Sequence, residues 1–162
     1  QRDYGVSIEL ANNLTMIFPI SGVIAIICAF FFMQKTGRRK PLICLGQISK
    51  VVGLLMIYFG GIGIVGYCGI ALLGVGVSVW APAMLVVPMD LKDMTPSRVG
   101  AAFSLMMSCG FAGGAISPVI VGWLSSLYSY GFAICLCAIP CALGFIASLI
   151  MRETGPVGKN VI

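Results

Sequence analysis

The sequence predicts an all-helical bundle that crosses a membrane several times, and three observations predict it. Hydrophobic residues make up 59% of the 162 residues and charged residues only 9%, whereas roughly a quarter of an ordinary soluble domain is charged. The apolar residues form five runs, each long enough for a helix that spans a bilayer. The basic residues occupy alternate breaks between those runs. Because open sheets cannot span lipid, and the runs lack the alternation of barrel strands, helices are the predicted elements.

Each predicted helix is one apolar run between polar or glycine-rich breaks. The predicted spans cover about residues 13–33, 42–59, 64–89, 99–127 and 132–151. The first ends at a basic loop, and the second ends at an uncharged turn rich in glycine, 60–63. The first span is too long for a signal peptide and lacks the basic stretch that would precede one. We therefore expect one transmembrane unit over residues 1–162, and Gln1 in place of Met suggests a piece of a longer polypeptide.

The distribution of basic residues predicts the orientation of the chain. Eight of the ten basic residues lie in the breaks after the first, third and fifth runs: Lys35, Arg38, Arg39, Lys40, Lys92, Arg98, Arg152 and Lys159. Cytoplasmic loops carry an excess of Lys and Arg, so residue 1 is predicted outside and the C-terminus in the cytoplasm. A plasma or inner membrane is the expected location. The net charge of +5 then reflects orientation, and no nucleic-acid partner is expected.

The residue types argue against catalysis and metal binding. The chain contains no His, and no Asp or Glu lies deep within a predicted span, so a general base or a metal triad is missing. Seven cysteines lie inside apolar runs, where Cys behaves as a small hydrophobe. Cys137 and Cys141 are four residues apart and suit a metal by spacing, but no His or carboxylate completes a site. We therefore expect no enzyme activity, no metal and no cofactor.

Lys50 is the one charged residue well inside a predicted span. A charge near the middle of a bilayer costs at least about 2.5 kcal/mol on insertion scales, which favours a functional role. Lys50 would attract an anionic substrate, pair with an acid elsewhere in the protein, or line a wet cavity, and Gln47 lies one turn earlier on the same face. The competing interpretation is that its long stem lets the ammonium snorkel to the interface.

Glycine and proline are dense in the third and fourth spans. Gly110 and Gly114 have the small-xxx-small spacing that allows close approach of helices, and Pro82 and Pro118 remove backbone hydrogen bonds and bend the axis. This pattern suits a gated pathway and equally suits static packing, since both residues are common in membrane helices.

Several motifs resemble the major facilitator superfamily of secondary transporters. The loop 34–40 is similar to its cytoplasmic signature, with the basic part kept at Lys35, Gly37, Arg38 and Arg39. Gln34 stands at the position of the signature's acid, and this degenerate form suits the loop between the eighth and ninth helices. The stretch 90–100 resembles the loop before the eleventh helix, the glycine and proline positions 110–122 resemble that helix, and 152–155 resembles the Glu-Thr stretch after the twelfth.

This resemblance identifies the chain as helices eight to twelve, part of the second half of a twelve-helix fold. It implies a secondary transporter that moves a small solute by alternating access between two halves. The expected partners are the lipid bilayer, the missing N-terminal half of the same chain and a small-molecule substrate, with or without a coupling ion. Lys50 and the acid-free interior favour an organic anion. The alternative is a non-transporting membrane protein, either a half-size relic or an assembly subunit, whereas a channel would need a charged ring or filter loop.

The resemblance also implies that substrate contacts come from the eighth, tenth and eleventh helices. The candidate positions near the midplane are Ser21, Ser78, Trp80, Ser108 and Phe111. The serines would hydrogen-bond a substrate or bond to their own helix. The two aromatic side chains would stack on a substrate or pack against neighbouring helices.

Overall fold

The computed structural model describes residues 8–61, 63–90, 93–153 and 155. These residues form five α-helices and, within those ranges, no β-strand. The helices are α1 (Ile8–Thr36), α2 (Lys40–Gly60), α3 (Ile64–Asp90), α4 (Pro96–Leu127) and α5 (Tyr130–Ile150). Each contains a stretch long and apolar enough to cross a membrane. The prediction of an all-helical membrane bundle is therefore confirmed.

Local capping explains why two helices begin before their predicted spans. The hydroxyl of Thr95 accepts the backbone N–H of Arg98 at 3.4 Å, and Pro96 supplies the first helical residue of α4. The hydroxyl of Ser129 accepts the N–H of Phe132 at 3.2 Å in the same way, so α5 begins at Tyr130. Several residues used in the sequence-based topology lie outside the described residues, namely 1–7, Lys92, Thr154 and Lys159.

The helix α3 lies at the centre of the packing, between α1 and α2. It runs parallel to α1, where Gly22 faces Ser78, and antiparallel to α2. The helix α5 packs against the other side of α2, with Gly144 beside Gln47. The helix α4 packs mainly against α5. As a result, the C-terminal ends of α1, α3 and α5 and the N-terminal end of α2 meet at one end of the bundle.

Glycines set the close contact between α2 and α3. A Cβ at Gly46 would lie 2.7 Å from the Cβ of Trp80, and a Cβ at Gly76 would lie 2.8 Å from the carbonyl oxygen of Gly46. The same arrangement recurs seven residues further on, where a Cβ at Gly53 would lie 2.9 Å from the carbonyl oxygen of Gly69. No larger side chain fits at these positions, so the two backbones touch directly.

The centre of the bundle is built from small and medium apolar side chains. The buried core comprises Ala25, Ala29, Leu42, Ile43, Val79 and Ala83. Large apolar side chains such as Phe31, Phe59 and Trp123 are exposed instead, as expected where lipid replaces water around the helices. None of the described residues of α4 is buried. This helix therefore has most of its surface open within the part of the chain that the structure describes.

Candidate functional site

Two groups of residues with charged side chains lie where helices of the described structure meet. The first is at the bundle end where the α1–α2 loop meets the tail after α5, and we call it the loop–tail cluster: Gly37, Arg39, Lys40, Asp90 and Glu153. The second lies at mid-span between α2 and α3 and consists of Lys50 and Trp80. We describe the loop–tail cluster first, because it holds the helix ends together, and the mid-span pair second.

Glu153 caps the N-terminus of α2 within the loop–tail cluster. The first turn of a helix has backbone N–H groups without an intrahelical acceptor, and Arg39 at its N-cap offers no side-chain hydrogen bond. The carboxylate of Glu153 accepts the N–H of Arg39 at 2.8 Å and that of Lys40 at 3.3 Å. A negative charge at this position also interacts favourably with the helix dipole. The tail after α5 is thereby attached to the start of α2.

Arg39 and Asp90 form an ion pair that joins the start of α2 to the end of α3. Their side chains retain only 14% and 11% exposure, respectively, so the pair is largely shielded from solvent. The guanidinium also contacts the sulfur of Met33 in α1, at 3.7 Å from Nη1. Of the four signature-loop residues, Arg39 thus connects three helices. The sequence predicted the position of this arginine but not its acidic partner.

The other signature-loop residues differ in their surroundings. Gly37 has a φ of 62°, a backbone conformation that favours glycine, and the tail approaches so closely that a Cβ at Gly155 would collide with the carbonyl oxygen of Gly37. Lys35 and Arg38 are exposed. The Nζ of Lys40 donates to the carbonyl oxygen of Leu149 at 2.6 Å, which adds a second connection between α2 and α5.

At mid-span, Lys50 points toward α3. Its Nζ lies 4.7 Å from the centroid of the Trp80 ring, and a Cβ at Gly76 would lie 2.8 Å from its Cγ. Ten residues separate Lys50 from Lys40 at the start of α2, or about 15 Å along the helix axis. The ammonium therefore rests on the face of an aromatic ring inside the bundle, at a distance where cation–π attraction operates.

Gln47 and Lys50 differ in their nearest neighbours. The amide of Gln47 faces α5, where a Cβ at Gly144 would lie 3.1 Å from Oε1. Lys50 instead contacts α3 through Trp80. An electrostatic interaction places Lys50 near Cys141 of α5 as well. The two side chains are one helical turn apart on α2, so both lie close to α5.

The two serines of α1 and α3 lie where those helices touch. The hydroxyl of Ser21 donates to the carbonyl oxygen of Phe18 at 2.9 Å, within its own helix. Ser78 faces Gly22, one residue further along α1. The structure thus brings Ser21 and Ser78 to the same helix contact. Trp80 follows Ser78 by two residues and projects from another face of α3, toward α2. Pro82 follows Trp80 by two residues and is half-buried.

The candidate residues of α4 are separate from the mid-span pair. Ser108 is exposed and Phe111 retains 76% of its accessible surface. Pro118 is also exposed. A Cβ placed at Gly110 or Gly114 would meet no atom within 4 Å among the described residues. The small-xxx-small stripe of α4 is therefore open to a neighbour beyond the described residues.

Three features of the site escaped the sequence analysis. The ion pair of Asp90 and the cap formed by Glu153 link residues far apart in sequence, and no local spacing reveals such links. The glycine contacts carried a readable signal, because Gly46 and Gly53 in α2 and Gly69 and Gly76 in α3 share a spacing of seven residues. A seven-residue repeat of small residues marks one face of a helix in a tightly packed pair.

Comparison with known proteins identifies the family. The model of the Major Facilitator Superfamily matches residues 1–161. No curated protein matches the chain significantly, and no solved structure does. The match and the five membrane-length helices fit part of a transporter of this superfamily, which implies an integral membrane protein in a lipid bilayer with a small solute as its substrate. The chain belongs to the major facilitator superfamily.

Proposed function

We propose that the chain comprises helices eight to twelve of a secondary active transporter that moves a small organic anion by alternating access. The family membership supports transport as the general function. The observation that supports an anion is the inward position of Lys50, whose Nζ lies over the ring of Trp80 at 4.7 Å. In this arrangement Lys50 contributes the positive charge that attracts the substrate, and Trp80 holds the ammonium in place.

The aromatic partner matters because it leaves the charge of Lys50 uncompensated. A carboxylate neighbour would neutralise the ammonium, but the described residues place none against it. An aromatic face attracts the cation through its quadrupole and carries no net charge. An anion that reaches the pair would therefore meet an ammonium group that no carboxylate among the described residues neutralises, in surroundings of low dielectric constant where electrostatic attraction is strong.

The remaining candidate residues are proposed to act in support. Ser21 and Ser78 lie at the α1–α3 contact, on a different face of α3 from Trp80, and offer hydroxyl groups to polar parts of a substrate. Gln47 would contact a larger substrate from the α5 side. Ser108 and Phe111 would contribute from α4 when the other half of the transporter closes over the open face of that helix.

The test uses the full-length protein reconstituted in proteoliposomes. Wild-type protein is assayed for uptake of labelled mono- and dicarboxylates, with neutral sugars and amines as comparison classes. We expect uptake of at least one carboxylate, and Lys50→Ala should lower it at least tenfold at unchanged expression while Lys50→Arg retains a larger part. Arg152→Ala, which removes an exposed charge after α5, is the matched control and should transport normally.

Each result decides between the possibilities. Uptake of carboxylates that does not depend on Lys50 would exclude the binding role of Lys50 and favour an interfacial, structural lysine. Uptake of sugars or amines alone would exclude an anion. Absence of uptake in every class, with the protein folded, would favour the non-transporting alternative in which the chain serves as a relic or an assembly subunit.

A further inference from the structure

An apolar groove lies between α1 and α2, and α3 forms its base. It has a volume of about 480 Å³, within the range of pockets that hold small molecules or cofactors. Its residues include Ser21, Cys28 and Phe32 from α1, Pro41 and Leu45 from α2, and Val79 from α3. Cys28, Phe32, Pro41 and Leu45 are exposed. The groove is therefore open to whatever surrounds the bundle.

The length of the groove matches one leaflet of a bilayer. Ser21 and Phe32 lie eleven residues apart in α1, or about 16 Å along the helix axis. Half of the hydrocarbon core of a bilayer is about 15 Å thick. Phe32 and Pro41 lie on either side of the α1–α2 loop, so one end of the groove is at the basic end of the bundle and the other is near mid-span.

Two cations at that basic end have no acidic partner among the described residues. Arg39 is engaged with Asp90, and Lys40 donates to the carbonyl oxygen of Leu149. Lys35 and Arg38 are exposed, and the described part of the chain gives their charged groups no ion pair. Lys35 follows Phe32 by three residues, and Arg38 precedes Pro41 by three. The two positive charges thus flank the end of the groove.

We infer that this groove binds one anionic phospholipid of the leaflet facing the basic loops. One acyl chain lies in the groove from Phe32 to Ser21, and the phosphate of the headgroup is contacted by Lys35 and Arg38. Basic residues next to a membrane attract anionic headgroups, and the guanidinium of Arg38 suits bidentate contact with phosphate. The apolar groove and the two charges together favour a lipid. A free phosphate would contact only Lys35 and Arg38, and an apolar protein helix would fill only the groove.

The experiment measures lipid binding to the purified full-length protein by native mass spectrometry. Dioleoyl phosphatidylglycerol is compared with dioleoyl phosphatidylcholine, which has the same acyl chains. We expect the anionic lipid to bind about 25-fold more tightly, at roughly fivefold for each of the two charges. The double variant Lys35→Gln/Arg38→Gln should bind both lipids equally. The single variant Arg38→Gln should lose about fivefold, whereas Arg98→Gln, which removes an exposed arginine away from the groove, should lose less than twofold.

A second pair of variants tests the groove itself. Cys28→Trp fills the groove from an exposed position and should lose the tightly bound molecule of either lipid. Cys68→Trp makes the same change at an exposed position outside the groove and should retain it. Unfolding temperatures of the two variants establish that both proteins are folded. A photoreactive label on Cys28, with the other cysteines replaced, gives an independent readout and should attach to lipid.

Three results would overturn the inference. Equal affinity of the wild-type protein for the two lipids would exclude headgroup recognition by Lys35 and Arg38. Retention of the bound lipid in a folded Cys28→Trp variant would place the lipid elsewhere. Attachment of the label to a peptide of the same chain would mean that another segment of the protein covers the groove.

Discussion

The carboxylate of Glu153 accepts the backbone N–H of Arg39 at 2.8 Å across 114 residues of sequence. Arg39 in turn forms an ion pair with Asp90 through its side chain. Arg39 therefore contacts two acids. Its backbone N–H contacts Glu153, after α5, and its guanidinium contacts Asp90, at the end of α3. The loop–tail cluster thereby holds together the start of α2, the end of α3 and the tail after α5.

Removing the cap formed by Glu153 should loosen the start of α2. Glu153→Ala leaves the N–H groups of Arg39 and Lys40 without this acceptor, and the loss of a helix cap costs about 1 kcal/mol. We expect faster hydrogen exchange at these two amides in detergent-solubilised protein, and a lower midpoint of unfolding. Arg152→Ala, at the neighbouring exposed position, is the control and should leave both unchanged. Unaltered exchange at residues 39 and 40 in Glu153→Ala would contradict the capping role.

The ion pair of Arg39 and Asp90 should show coupling in a double-mutant cycle. Removing either partner abolishes this shielded ion pair, so Arg39→Ala and Asp90→Ala should each reduce the free energy of unfolding by about 3 kcal/mol. The double variant should lose clearly less than the sum, because each single change already abolishes the same ion pair. Arg38→Ala serves as the control and should have little effect. Strict additivity of the two single changes would show that the residues act independently.

Adding a single methyl group at the α2–α3 contact should destabilise the protein. Gly46→Ala would place a Cβ 2.7 Å from the Cβ of Trp80, which forces the helices apart and costs about 1–3 kcal/mol. Gly100→Ala adds the same group where no atom lies within 4 Å among the described residues, and it should be neutral or stabilising in the helix. The midpoint of unfolding in detergent measures both. A tolerated Gly46→Ala would mean that the two helices do not touch at this point.

Trp80 should hold the ammonium of Lys50 through its ring. Trp80→Phe keeps an aromatic face, although a weaker one, whereas Trp80→Leu removes it. In carboxylate uptake we therefore expect the order wild type, Trp80→Phe and Trp80→Leu, with the last at least several-fold lower at equal expression. Trp123→Leu changes the exposed tryptophan of α4 and provides the comparison. Equal uptake by Trp80→Phe and Trp80→Leu would exclude a contribution from the aromatic face.

The helices were predictable from sequence because apolar length and charge alternation act locally. The runs around 64–89 and 99–127 each became one continuous helix, even though Pro82 and Pro118 lie inside them. Their bounds shifted by a few residues where a cap such as Thr95 starts the helix earlier than hydropathy indicates. The family was predictable as well, because the basic half of the signature survives at Lys35, Gly37, Arg38 and Arg39.

The direction of a side chain within the bundle was not predictable in the same way. The sequence left two directions possible for the Lys50 side chain, toward the membrane interface or into the bundle. Both are compatible with a single charge on an apolar helix. Its contact with Trp80 depends on the crossing of α2 and α3, which the opposed glycines Gly46 and Gly76 determine. Likewise, Asp90 and Glu153 were recognisable as acids at helix ends, but their shared partner Arg39 depends on how three helices assemble.

The paired glycines of α2 and α3 also affect how this part of the protein can move. Two backbone contacts seven residues apart, at Gly46 with Gly76 and at Gly53 with Gly69, oppose both sliding and rotation of one helix against the other. We expect the two helices to move as one rigid body, so that the distance between Lys50 and Trp80 stays constant. In the proposed alternating-access cycle, the ammonium of Lys50 would then become accessible from one side of the membrane and later from the other, while its contact with the Trp80 ring is kept.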